Sequence, residues 1–198
     1  MAVSRSRGRS TDVRLLTALW QQWQDVGTAM PAGRWSHPTG LGKWTVRDLF
    51  AHVALGVRTT VQLASQPAVE SGPELGDAAA YFAALRPLGE AGAAQVARLA
   101  TQWASVRSDA ELVAGFDVPV PDLAGDPVVR SIAGTIRFAD YLVTRVLEAT
   151  VHLLDVGVQP PGEALDRAAD VLLDLCPPAD FVRLATGRPA GPLFPVLT

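Results

Sequence analysis

The sequence predicts an all-α fold, a four-helix bundle with a short C-terminal helix and tail. Four segments of the 198-residue chain place apolar side chains at i, i+3, i+4 and i+7, the spacing of one buried helix face. Stretches rich in Pro and Gly separate those segments, and four long helices joined by one crossover make a bundle. A hydrophobic content of 48% is enough to bury a sizeable core.

The first helix is signalled by Thr11 and Asp12 as capping candidates, then by Leu16, Leu19, Trp20 and Trp23 at helical spacing, and it should end between Gly27 and Pro31. After the Gly/Pro-rich loop 31–43, Thr45 opens a second helix with Asp48 three residues on, a capping-box pattern. Leu49, Phe50, Val53, Val57 and Val61 form its apolar stripe. A third, alanine-rich segment runs from Asp77 to Val106 with Val96, Leu99, Ala100 and Trp103 on one face, and Pro87 should kink or split it. Residues 116–127 carry three prolines and read as an irregular crossover, or at most a short extended piece. The fourth helix is expected over 132–158, with Val143, Val146, Leu147, Thr150 and Leu154 on one side, stopped by Gly157 and Pro160. A short helix over 163–176 and a Pro/Gly-rich tail complete the chain. Residues 1–10 are expected to be a flexible tail, and 11–198 a single metal-binding domain.

Composition narrows the function. Seventeen basic against 20 acidic side chains give a net charge of -3, with no basic footprint for nucleic acid. No stretch approaches the roughly 18 apolar residues of a membrane span. Arg5, Arg7 and Arg9 precede no apolar segment, which argues against a signal peptide. The lone Cys176 forms no internal disulfide and reads as a buried structural thiol, so a reducing, cytoplasmic home is expected. The apolar composition and five Trp are compatible with a monomer or a homodimer.

The residues that suggest chemistry lie on the fourth helix. A rotation of about 100° per residue gathers Tyr141, Thr144, Arg145, Glu148, His152 and Asp155 into one narrow polar stripe. Such a stripe is either a solvated face or a site. Glu148 and His152 at i and i+4 stack on one face, close enough to share a metal ion. His52, on another helix, flanks the apolar stripe and can point between helices. Gly56 one turn later leaves space beside it, and Asp48 one turn earlier offers a carboxylate for its other ring nitrogen. Two His and one Glu are three ligands, which leaves the fourth position of a catalytic zinc site open. His37, next to Pro38 in the loop, reads as an exposed residue.

The stretches Gly42-Lys-Trp-Thr-Val-Arg-Asp-Leu-Phe-Ala-His52 and Arg145-Val-Leu-Glu-Ala-Thr-Val-His-Leu-Leu-Asp155 resemble the mycothiol-dependent maleylpyruvate isomerase-like proteins of the DinB/YfiT-like superfamily. Phe181 to Arg188 is similar to that family's closing Phe-x-x-x-x-x-Gly-Arg stretch. The resemblance implies a four-helix bundle with His52, Glu148 and His152 as ligands of a divalent metal, expected to be zinc. It also implies a low-molecular-weight thiol cosubstrate, and the actinobacterial cast of the composition points to mycothiol. The isomerase itself resembles this chain with a further C-terminal domain that contributes to its active site, so a reaction other than maleylpyruvate isomerisation is expected.

The leading expectation is therefore a thiol-dependent transferase or isomerase acting on an electrophilic small molecule. Arg145 and Asp155 are its catalytic candidates, and Arg145 or Arg188 would hold anionic groups of thiol or substrate. A metal-dependent hydrolase using zinc-activated water is the second reading. A noncatalytic metal- or ligand-binding bundle is the third.

Overall fold

The computed structural model describes residues 2–189, and these are mostly helical with one small two-stranded sheet. Helix α1 spans Ala2–Ala29. It begins well before Thr11, because residues 2–10 hold no proline and a single glycine to oppose it. Asp12 is thus not a cap. It lies within α1, buried, and its carboxylate accepts two bonds from the Arg167 guanidinium at 3.0 and 3.3 Å. Leu16, Leu19, Trp20 and Trp23 form the buried face.

Helix α2 (Val46–Ala64) starts as expected. The Thr45 hydroxyl accepts from the Asp48 backbone N–H, and the Asp48 carboxylate accepts from the Thr45 N–H, which satisfies two donors that a helix start otherwise leaves bare. Leu49, Phe50, Val53 and Val57 face the core.

The third expected helix is broken at Pro87 into α3 (Ala78–Leu85) and α4 (Gly89–Ser105), joined by a 3-10 turn over Arg86–Leu88. The halves take different partners: α3 packs on the later helix α6 (Phe138–Asp155), while α4 packs on α2. Val96 and Leu99 are therefore exposed rather than core residues. It is Ala100 and Ala104, whose small side chains permit close approach, that α4 buries. A short helix α5 (Asp109–Ala114), opened by a Ser108/Glu111 capping box, had no counterpart among the expected elements.

Residues 117–127 are irregular, as expected, but the next ten, which include the expected helix start at 132, are not helical. They form a hairpin of β1 (Val128–Ser131) and β2 (Gly134–Arg137), paired Val129 to Ile136. The β-branched Val128, Val129, Thr135 and Ile136 favour strands, and Gly134 supplies a φ of 136° at the turn. The hairpin is tied to the segment after α2: Val69 N–H donates to the Val128 carbonyl (2.8 Å) and Leu75 N–H to that of Thr135 (2.9 Å). Helix α6 accordingly starts at Phe138. It ends in a Schellman turn, with Gly157 at φ 79° and the Val158 N–H bonded to the Leu153 carbonyl.

Helix α7 (Gly162–Leu175) matches the expected short helix and ends at the buried Cys176. The tail expected beyond it is helical at first, α8 (Pro178–Ala185), with Pro178 at the first helical position where a missing N–H costs nothing. Residues 186–189 follow it without further helix, and the tail from 190 on lies outside the described residues. No described helix is long and apolar enough to cross a membrane.

Helix α1 packs on α6 and α5, and α2 on α4, α5 and α6. Trp23 stands where these meet. Its indole N–H donates to the Ala149 carbonyl on α6 (3.1 Å), and its ring meets Phe50 of α2 edge-on at 4.7 Å and stacks on Phe116 at 5.8 Å. Because Ala149 adjoins Glu148, this contact sets the height of α6 against α1 next to the polar stripe. Trp23→Ala should lower unfolding free energy by about 3–5 kcal/mol in urea titration; a loss below about 1 kcal/mol would show that the junction does not organise the core.

Candidate metal centre

The polar stripe of α6 does not face solvent. Tyr141 and Thr144 are buried, and Glu148, His152 and Asp155 keep only 27%, 15% and 22% of their side-chain surface exposed. The reason lies opposite: α2 packs on this part of α6 and brings His52 onto Glu148.

The His52 Nε2 lies 3.0 Å from the Glu148 Oε2, and the His152 Nε2 lies 3.6 Å from the same oxygen. The two imidazoles meet edge to face at 5.0 Å. One ligand atom from each of the three residues falls within 4.8 Å of the others, a spacing compatible with a shared divalent metal. The His152 Nδ1 bonds the Asp155 carboxylate at 2.8 Å, which fixes the ring and leaves its Nε2 turned to the cluster. Asp48 does not play the matching part for His52, because its carboxylate is engaged by the Thr45 N–H and hydroxyl. The indole of Trp44 instead lies 5.1 Å from the His52 ring.

Arg145, one turn before Glu148, lies in the same small recess with His52, Gly56 and Trp20. Its Nε donates to the Thr144 hydroxyl (3.0 Å), and its guanidinium sits 5.1 Å from the Tyr141 ring and 5.8 Å from that of Tyr81 on α3. Gly56 leaves the room expected of it, but the group beside it is Arg145, whose Nη1 would be 3.6 Å from a Cβ there. Arg188 is exposed past the end of α8. Its guanidinium bonds the Thr186 carbonyl, and among the described residues its hydrogen bonds reach none of the cluster. His37 is an exposed loop residue that pairs with Arg34.

The charges are strongly coupled. Burial pushes the Glu148 carboxyl up, but bonds from His152 and His52 and the nearby Arg145 outweigh it and hold the group well below the usual carboxylate range. Burial likewise works against a charged His152, yet Asp155 and Glu148 raise its pKa to about 9. Burial raises Tyr81, with Arg145 opposing.

A family model described as the mycothiol maleylpyruvate isomerase N-terminal domain matches residues 16–157. The chain belongs to this family. The match runs from α1 to the Schellman glycine and so encloses His52, Arg145, Glu148, His152 and Asp155, while α7, α8 and Arg188 lie beyond it. No curated protein and no solved structure matches the chain. Within the maleylpyruvate isomerase-like segment two residues had been given no role from sequence: Tyr81, whose ring lies near the Arg145 guanidinium and which comes from an alanine-rich helix with no visible motif, and Trp44, which lies beside the His52 ring and stood inside a quoted motif without a function.

In metal-free protein the raised pKa of His152 has a defined effect on stability. Its folded value of about 9 exceeds the unfolded 6.5, so the stabilisation it brings is complete below about pH 6.5 and is lost as pH rises towards 9. The urea midpoint of chelator-treated wild type should therefore fall over that window, and His152→Gln should flatten the decline. Parallel profiles for the two proteins would contradict the ion-paired histidine.

Proposed function

We propose that the chain is a zinc- and thiol-dependent transferase or isomerase of the cytoplasm, which uses mycothiol on an electrophilic small molecule. The observation that carries this reading is the His52, Glu148, His152 cluster set inside the segment that matches the mycothiol family model.

The donor set suits the metal. Two imidazole nitrogens and one carboxylate oxygen are borderline ligands of the kind zinc takes in catalytic sites, where three protein ligands leave a fourth position open. The thiol-free composition of the set separates it from closed, Cys-rich structural sites. A divalent metal held there would lower the pKa of a thiol at its open side and so supply a thiolate nucleophile at neutral pH.

The protein's own groups have distinct parts. His52 and His152 would bind as neutral imidazoles, so His152 must give up the proton that Glu148 and Asp155 otherwise retain on it. Asp155 acts through His152, as a positioning residue that fixes which ring nitrogen faces the cluster. Trp44 covers the His52 ring on one side, limiting water there. Arg145 keeps a positive charge beside Glu148 that favours anionic ligands over neutral ones.

Purified wild type should contain about one zinc per chain, and His52→Ala and His152→Ala should lose it along with mycothiol binding in calorimetry. Zinc retained by a wild type that ignores mycothiol would favour a hydrolase using metal-activated water. A zinc-loaded preparation of His52→Ala would overturn the ligand set.

A further inference from the structure

Helix α4 carries an apolar row that the fold leaves uncovered. Gly89, Gly92, Val96, Leu99, Trp103 and Val106 follow one another at alternating steps of three and four residues, the repeat that keeps one seam of a helix turned towards a partner helix. The seam lies beside the face that packs on α2, where Ala100 and Ala104 are buried. Val96, Leu99 and Val106 are accordingly 38%, 47% and 74% exposed, and Leu88, just before the helix, is 51% exposed. Valine is a poorer helix former than the alanines around it, so helix propensity gives no reason for Val96 or Val106. Apolar side chains gathered on one exposed strip mark a contact surface. Trp103 is held ready in that strip, because the guanidinium carbons of Arg107 and of Arg58 on α2 lie 3.2 and 4.7 Å from its ring centre.

We propose that this seam is a docking surface for a second copy of the chain, α4 against α4 in antiparallel register, about a two-fold axis that passes between Val96 and Leu99. The seam is tapered. Glycines stand at its N-terminal end, and Leu99, Trp103 and Val106 at its C-terminal end. A parallel pair would set Trp103 on Trp103 and glycine on glycine, crowding one end and leaving a gap at the other. Reversing one copy sets Val96 against the partner's Leu99, Gly92 against the partner's Trp103 and Gly89 against the partner's Val106, so that every layer joins a smaller residue to a larger one. The same register brings Gln95 to the partner's Gln102 along the outer edge, twice by symmetry. Side-chain amides are self-complementary, each holding donors and an acceptor. The Gln95 carbonyl accepts from Arg98 within its own chain, so its NH2 group serves as the donor across the interface. The charged side chains of α4, Glu90 and Arg98, lie on other sides of the helix by the rotation of about 100° per residue, so no layer of the seam buries a charge. A contact of this kind uses the same patch on both copies and closes on two chains. It involves neither the metal centre nor a thiol.

Sedimentation equilibrium on the full chain, from about 1 to 100 µM, tests this. Wild type should pass from the mass of one chain to that of two with a midpoint on the order of 10 µM, as suits a single helix pair that is smaller than a standard interface. Leu99→Glu puts a carboxylate on either side of the axis and should weaken association at least about 50-fold, with the helical circular dichroism unchanged. Ile132→Glu, at the exposed hairpin turn outside the seam, should leave association unaltered. Gln95→Glu combined with Gln102→Lys should tighten the pair about threefold to tenfold at low salt, since the antiparallel register sets each new carboxylate beside a new ammonium of the other chain. A wild type that keeps the mass of one chain at 100 µM overturns the proposal; if that monomer sediments with phosphatidylglycerol vesicles and Leu99→Glu does not, the face belongs to a lipid surface. A two-chain mass that survives Leu99→Glu also overturns it, because the contact then lies elsewhere. A double variant no tighter than wild type contradicts the antiparallel register.

Discussion

Everything at the centre of this protein depends on one partly buried carboxylate, Glu148. A carboxylate taken out of water is costly unless cations and donors surround it. Here two imidazoles from two helices converge on a single oxygen, and a guanidinium stands one turn away. Because His52 comes from α2 while Glu148 and His152 come from α6, the same contacts that hold the carboxylate ionised also require those helices to pack at one height and rotation. A site built this way sits on rigid elements rather than on loops.

The surrounding apolar structure makes that alignment dependable. Trp23 joins α1 to α6 through the Ala149 carbonyl and to α2 through Phe50, so the backbone beside Glu148 is held in place next to the cluster. The capping box at Thr45 defines where α2 begins and hence the turn on which His52 falls. The Schellman turn at Gly157 ends α6 just after Asp155, leaving that carboxylate on the last turn, within reach of His152. Orientation then passes outward, from Asp155 to His152 and from Trp44 to His52.

Local signals were legible in the sequence, and pairings across elements were not. The i, i+4 spacing of Glu148 and His152, the Thr45/Asp48 cap and the apolar stripes of α1 and α2 all follow from the geometry of a single helix. Asp48 shows the limit of such reasoning: its spacing from His52 suits a supporting carboxylate, but the cap claims it first. Periodicity alone also placed Val96 and Leu99 in the core, whereas the partner of α4 decided that the alanines go inside. The hairpin at 128–137 was hidden because its strands are four residues long and adjoin a strongly periodic helix. Tyr81 had no motif to mark it, since its meaning arises only when Pro87 separates α3 from α4 and lets α3 turn to α6.

The central claim is that His52, Glu148 and His152 hold one divalent metal with a position left open to a thiol. Cobalt in place of zinc makes both halves visible in one absorption titration. One equivalent of Co2+ should produce the intense visible bands of a four-coordinate protein site, and mycothiol added afterwards should bring a near-ultraviolet sulfur-to-cobalt charge-transfer band. A spectrum no different from that of hexaaqua cobalt would contradict the metal centre, and a four-coordinate spectrum untouched by mycothiol would contradict its open side as a thiol site.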